Sequence, residues 1–216
     1  MLRKIRRLLL LLGRPNQIRM AINYLFMLEQ QEQQGTVWGS ISEEEEQALI
    51  ELTRKASALP GPIIEIGALF GFTTQLLATY KPVEKKLIAV ECFAWNPFGI
   101  PPRDHRTITR RVLRYNMVHC NTTLFDGFNR DFYKTYQGDR PAMVFIDADH
   151  TYEGVQEDIT WAIRTGIPII AGHDYCEFWP GIQQAVDEAF SGEITVKGSL
   201  WWHCSPELRD ALPRCA

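Results

Sequence analysis

Apolar positions along the chain change period from one segment to the next. Ile18, Ala21, Ile22, Leu25 and Phe26 recur at helical spacing, which predicts a helix over 16–34 that Gly35 ends. Ser42 is placed to cap a second helix. Glu43 to Glu46 fill its first turn, and Ala48, Leu49, Leu52 and Ala56 give it an apolar face. A helix dipole favours anions at that end, so the glutamates are expected to be solvated charge. Pro60-Gly61-Pro62 breaks the chain, and strand-like and helix-like blocks then alternate. The predicted strands are Pro62 to Ile66, Lys86 to Val90, Thr122 to Phe125, Ala142 to Ile146, Ile167 to Ala171, Ile194 to Val196 and Leu200 to His203. Helices are expected at Phe72 to Thr79, Arg103 to His119, Phe128 to Tyr136, Tyr152 to Thr165 and Gly181 to Phe190. Such alternation implies an α/β domain: a doubly wound, mostly parallel seven-stranded sheet ending in an antiparallel hairpin, turned by Lys197-Gly198-Ser199.

The first residues stand apart. Arg3, Lys4, Arg6 and Arg7 precede an unbroken run from Leu8 to Leu12, followed by Gly13-Arg14-Pro15. That run is too short to span a bilayer, which needs about 20 apolar residues, and it lacks the cleavage site of a secretory signal. Two readings stay open for residues 1–15: an interfacial helix on anionic lipid, or a helix packing on the domain or on a second copy in a homo-oligomer. Residues 1–35 are therefore read as a basic, apolar helical extension and 36–216 as the main domain.

Charge and cysteines narrow the class. A net charge of −3 gives no footprint for nucleic acid, and none is expected as a partner. The 5 cysteines are scattered without a C-x-x-C pair, which fits a reducing, cytoplasmic setting better than a disulfide scaffold or zinc knuckle.

Candidate chemistry begins where the first predicted strand ends, in Glu65-Ile66-Gly67-Ala68-Leu69-Phe70-Gly71-Phe72-Thr73. Gly67 permits a sharp turn and close backbone approach to a ligand, and Gly71 permits tight packing where the helix starts. Thr73 sits near a helix N-terminus, where a hydroxyl and free N–H groups suit a carboxylate. Positions 67, 69 and 72 read Gly, Leu and Phe, so the dinucleotide fingerprint G-x-G-x-x-G is absent. Strand two ends in Glu91, 20 residues beyond Gly71, where a carboxylate can accept both hydroxyls of a ribose.

This arrangement resembles the class I S-adenosylmethionine-dependent methyltransferases. It is nearest to the catechol and caffeoyl-CoA type O-methyltransferases and to the bacterial group called methyltransferase family 24. The resemblance implies a Rossmann-like fold over roughly residues 36–204 and S-adenosylmethionine as cofactor. It places Glu65 and Gly67 against the methionine part, Thr73 on its carboxylate and Glu91 on the ribose. Ala68, Gly71, Cys92, Gly127 and Asp147 complete the implied cofactor contacts. Phe128 and Asn129 stand where relatives often carry an acidic or small polar residue near adenine, so stacking or backbone contact is expected there.

Two polar clusters follow. The strand Met143 to Ile146 leads into Asp147, Asp149 and His150, and Ile169 to Ala171 leads into Gly172-His173-Asp174-Tyr175. Methyl transfer to an alcohol needs a nucleophile held in line and a base for its proton. His150 suits that role, with an ordinary pKa of about 6.5 that a neighbouring carboxylate would raise. His173 and Asp174 are read as orienting groups beside it. In the catechol-type relatives a lysine stands three residues after a metal-binding aspartate; Asp147 matches that aspartate, Asp174 the second, and Tyr175 replaces the asparagine ligand. The resemblance thus leaves two options: Mg²⁺ on Asp147 and Asp174, or chemistry without a metal.

The loop Cys92 to Pro102, carrying Trp95, Pro97 and Phe98, is expected to wall an acceptor pocket. Arg103, Arg106, Arg110, Arg111 and Arg114 are read as a solvated basic face, with an anionic substrate group as the functional alternative. Trp179 and Trp201-Trp202 fit a substrate wall, an interface or the core. The acceptor read from these features is a hydroxyl of a sugar or other small molecule. A metal-dependent hydroxylase or hydrolase using Asp147, His150, His173 and Asp174 is a different class, as is a non-catalytic cofactor-binding module docked on a membrane or partner.

Overall fold

The computed structural model of the chain describes residues 41–206 and Leu208. The helix expected over 16–34, the basic leucine-rich segment and the extension boundary at residue 35 lie outside the described residues. Among those described, no helix is long and apolar enough to cross a membrane.

Helix α1 (Glu43–Ser57) starts as a reciprocal cap. Glu45 N–H donates to Ser42 Oγ at 3.4 Å, and Ser42 N–H donates to Glu45 Oε2 at 2.7 Å. The alternation then runs β1 (Ile63–Ile66), α2 (Phe72–Tyr80), β2 (Leu87–Glu91), α3 (Pro102–Val112), α4 (Arg114–His119), β3 (Thr122–Asp126) and α5 (Asn129–Thr135). It continues through β4 (Met143–Ile146), α6 (Tyr152–Arg164), β5 (Ile169–Gly172), α7 (Pro180–Phe190), β6 (Thr195–Lys197) and β7 (Leu200–Cys204).

The seven strands form one sheet in the order β3-β2-β1-β4-β5-β7-β6. Neighbours from β3 to β5 are parallel, and β7 inserts antiparallel between β5 and β6. Both sheet faces are covered, which is why β1, β2, β4 and β5 are buried at consecutive positions rather than alternate ones. Ile64, Val144 and Ile170 pack with Val155, Ile159 and Val186 on one face. Ile63, Met143 and Ile169 pack with Leu49, Leu52 and Leu77 on the other. Strand order reverses between β1 and β4, so the crevice outside their carboxyl ends is where such a sheet binds ligands.

One expected element is divided. The basic stretch Arg103 to His119 breaks at Leu113, which is wholly buried under the glycine turn. A Cβ on Gly71 would lie 2.7 Å from Leu113 Cδ2, so the glycine and the break fit one another.

Candidate active site

Strand β1 delivers the turn that the carboxyl edge is built around. Gly67 has φ +92, and a Cβ there would sit 1.9 Å from the Asp147 carbonyl oxygen, so only glycine fits between β1 and β4. Leu69 follows in the left-handed region at φ +47, a strained conformation for its residue type. Its peptide is held at both ends: the N–H donates to Glu91 Oε2 at 2.7 Å, while His105 Nε2 and the Thr109 hydroxyl both donate to its carbonyl, at 2.8 Å and 2.7 Å. Phe93 N–H occupies Glu91 Oε1 at 2.8 Å. A carboxylate has about four lone-pair sites, so Glu91, held by these two N–H groups and met by the Cys92 side chain, keeps capacity for a further donor. Glu65 is fully buried and takes a hydrogen bond from the Thr74 hydroxyl, while its Oε1 has no partner among the described residues. Burial, added to the nearby Asp147 and Glu91 charges, pushes its pKa up to about 8 against the Thr74 bond.

Strands β4 and β5 deliver the second half. Asp147 N–H donates to Ile66 O and His173 N–H to Ile146 O, at 2.8 Å and 3.1 Å, which extends the ladder just past the strand ends. His150 Nε2 lies 2.7 Å from Asp174 Oδ2. Asp174 adopts φ +60, a left-handed conformation that aspartate tolerates, and its other oxygen lies 3.4 Å from His173 Nδ1. His173 Nδ1 also faces Asp147 Oδ1 at 4.0 Å, and its Nε2 faces Ser199 Oγ at 3.0 Å and Glu45 Oε2 at 3.4 Å. The result is a continuous row, Glu45–His173–Asp174–His150, with Asp147 beside it. The Trp179 ring covers one face of His150, with centroids 4.3 Å apart at 33°.

These contacts set the charges. Burial works against charge on His173, but Asp174, Glu45 and Asp147 outweigh it and lift its pKa to about 10. Burial likewise opposes charge on His150, and its bond to Asp174 with the charges of Asp147 and Asp149 raises it above the ordinary histidine value. Asp174 is held well below the carboxylate range, because the two histidines outweigh its burial. Asp147 moves up to about 6, as burial and the Asp174 charge exceed the pull of His173 and His150.

Several expected roles are corrected by position. The acidic run is not all solvated: Glu45 is 5% exposed and binds Ser199 N–H and hydroxyl, because the hairpin turn of β6 and β7 closes over it. Asp149 is exposed and stays outside the cluster, accepting from Thr151 N–H at 2.9 Å instead. Tyr175 turns its hydroxyl to Asp187 at 2.9 Å, away from the ligand position that its place in the chain suggested. Asn129 spends both ends of its amide on protein, donating to buried Asp158 at 2.5 Å and accepting from Arg130 N–H. Gly127 N–H donates to Glu91 O at 3.0 Å, and neighbouring Phe128 is half exposed with the Arg130 guanidinium over its ring. Ala68 is buried in the turn, Thr73 is buried in the first turn of α2, and Cys92 is a free, half-buried thiol. The basic face is partly paired, since Arg106 and Arg110 both reach Asp126. Trp201 is core, pressed on Gly172, whereas Trp95 is exposed and Phe98 packs on Phe70.

A divalent cation has a donor set of suitable size. One ligand atom each from Asp147, His173 and Asp174 lie within 4.8 Å of one another, and His150 is outside the group. Two carboxylates and an imidazole fit a cation such as Mg²⁺ in charge, although His173 already brings positive charge to the same place.

The sequence profile of a family described as a methyltransferase domain matches residues 64–175, just over half of the chain. A search of the curated proteins returns no match. Among solved structures, a putative O-methyltransferase from Klebsiella pneumoniae is similar at 21% identity and a TM-score of 0.59, covering 82% of this chain and 86% of that one. An O-methyltransferase from Bacillus cereus, solved with SAH, is similar at 15% identity and a TM-score of 0.59, with coverage of 82% and 86%. A TDP-rhamnose 3'-O-methyltransferase of calicheamicin biosynthesis is similar at 15% identity and a TM-score of 0.54, covering 75% and 79%. At these identities the likeness is one of fold.

Proposed function

The chain belongs to the methyltransferase-domain family, and from that premise we propose that it moves a methyl group from S-adenosylmethionine to a hydroxyl of a small molecule or sugar, with His150 as general base. One observation carries the assignment of the base: Asp174 Oδ2 holds His150 Nε2 at 2.7 Å, so the imidazole is oriented through that nitrogen and its Nδ1 is the one left to take a substrate proton.

The cofactor, when bound, supplies an electrophilic methyl on a sulfonium whose leaving group is a neutral thioether, so acid help is unnecessary. The protein's part is to hold two partners in line and receive one proton. Gly67, with no room for a Cβ, and Glu65, with an unpartnered buried oxygen, suit the methionine end. Ala68, Gly71 and Thr73 line the turn beyond them, and Glu91, with Cys92 after it, suits the ribose. Gly127 and the half-exposed Phe128 suit the adenine, with Asn129 acting through its backbone. Asp174 accepts from His150 Nε2–H and so leaves a lone pair on Nδ1. If the methyl passes to the acceptor oxygen and the thioether leaves, Nδ1 of His150 would take the hydroxyl proton. Trp179 then lies against the imidazolium face, where its ring stabilises the charge.

Asp147 and Asp174, with His173 Nδ1, would hold Mg²⁺ if the reaction uses it, and the cation would polarise the acceptor oxygen. The sugar-modifying neighbour supports a sugar hydroxyl as one acceptor class. The free thiols of Cys92, Cys120 and Cys176 support a cytoplasmic setting. Calorimetric binding of S-adenosylmethionine, followed by transfer of its labelled methyl to a panel of sugar and phenolic hydroxyls with and without EDTA, tests the reading. Absence of cofactor binding would sink it; transfer that ignores EDTA would remove the metal.

A further inference from the structure

Glu45 and Ser199 both lie outside the span that the methyltransferase profile matches, yet they meet at His173. Glu45 arrives from the first turn of α1 and Ser199 from the turn between β6 and β7. We propose that Glu45 and Ser199 form a positioning pair that fixes His173 in the form protonated on Nε2 and turns its Nδ1 onto Asp147 and Asp174. The inference rests on reading the His150–Asp174 edge as the active site.

Hydrogen-bond direction carries the argument. An ionised carboxylate only accepts, so Glu45 Oε1 must receive both the Ser199 N–H at 2.5 Å and the Ser199 hydroxyl at 2.7 Å. Serine has one hydroxyl proton, and it is committed to Glu45. Ser199 Oγ can therefore only accept from His173 Nε2, 3.0 Å away, which requires Nε2–H. The second Glu45 oxygen, 3.4 Å from the same nitrogen, favours a proton there too. Helix α1 cannot release Glu45 easily, because Ser42 N–H holds Oε2. The hairpin is fitted to it as well: a Cβ on Gly198 would lie 2.6 Å from Glu45 Oε1.

The consequence falls on Nδ1. With Nε2 occupied, Nδ1 faces Asp174 Oδ1 at 3.4 Å and Asp147 Oδ1 at 4.0 Å. It either donates to these carboxylates or lends its lone pair to a cation they hold. A carboxylate behind a histidine in this way fixes tautomer and ring orientation. The arrangement makes α1, which lies ahead of the cofactor turn in the chain, part of the catalytic edge.

The test uses the full-length, ¹⁵N-labelled protein and variants Ser199→Ala, Ser199→Thr and Glu45→Gln, with Ser42→Ala as a helix-cap control. Long-range ¹H–¹⁵N spectra of the imidazoles report whether His173 Nε2 carries a held proton, without any acceptor. The expected result is a protected Nε2–H signal in the parent and in Ser42→Ala, lost to exchange in Ser199→Ala and Glu45→Gln, and recovered in Ser199→Thr. A parent His173 without a proton on Nε2, or an unchanged signal in both Ser199→Ala and Glu45→Gln, would overturn the proposal. In turnover, Ser199→Ala is expected to lower kcat at least tenfold while S-adenosylmethionine affinity stays within twofold. Equal loss of kcat in Ser42→Ala, at matched thermal stability, would mean a structural role and overturn the positioning. Failure of the parent to methylate any hydroxyl, with the tautomer result intact, would count against the proposed reaction and not against this pair.

Discussion

Asp174 accepts from His150 Nε2 at 2.7 Å while holding a left-handed backbone at φ +60, so a residue in an uncommon conformation is what orients the proposed base. The other oxygen of the same carboxylate reaches His173 Nδ1 at 3.4 Å.

Replacing Asp174 by Asn should therefore act through His150. A base works when neutral, so the rate rises with pH through the His150 pKa, which Asp174 lifts above its ordinary value of about 6.5. In Asp174→Asn that rising limb should move to lower pH, and the plateau should fall by about 10²-fold, within the range typical of general base catalysis. The pH dependence of kcat/KM for both proteins checks it. A limb that does not move would remove Asp174 from this role.

His173 makes a separate prediction about stability. Its folded pKa of about 10 exceeds the unfolded value of about 6.5, so the folded state binds the proton more tightly. The stabilisation is fully present below about pH 6.5 and is lost as pH rises through about 10. Thermal midpoints of the parent should fall over that interval, and those of His173→Asn should fall less steeply.

Gly67→Ala should disrupt both fold and cofactor edge. The added Cβ would meet the Asp147 carbonyl at 1.9 Å, and φ +92 is unfavourable for alanine. A loss of about 3 kcal/mol is expected from the clash and strain together. Denaturant unfolding measures it; a loss under about 0.5 kcal/mol would contradict the packing described.

Glu91→Gln keeps the shape but not the charge of the residue that anchors Leu69 and Phe93. Hydrogen bonds to charged groups are worth about 1.5–3 kcal/mol, so S-adenosylmethionine should bind about 10- to 100-fold more weakly. Calorimetry decides this, and equal affinity would move the ribose site elsewhere.

The central strands could be read from the chain because β1, β2, β4 and β5 are short and buried along their whole length. Gly67 and Glu91 were legible for the same reason: turn chemistry and strand-end position are local properties. The break at Leu113 was not, since it depends on a contact with Gly71 across the fold. Glu45 was read with Glu43, Glu44 and Glu46 as solvated charge in a first helical turn, because the contact that buries it is not local. Its contact to Ser199 spans 154 residues, a separation no periodicity reports. Trp179 was open between wall and core until its ring was found on His150.

The most direct measurement compares the parent with His150→Ala for cofactor affinity and methyl transfer side by side. The account predicts S-adenosylmethionine binding within about twofold and transfer reduced at least 10²-fold, the lower range of general base catalysis. Transfer at the parent rate, or a parallel collapse of binding and transfer, would contradict His150 as the base.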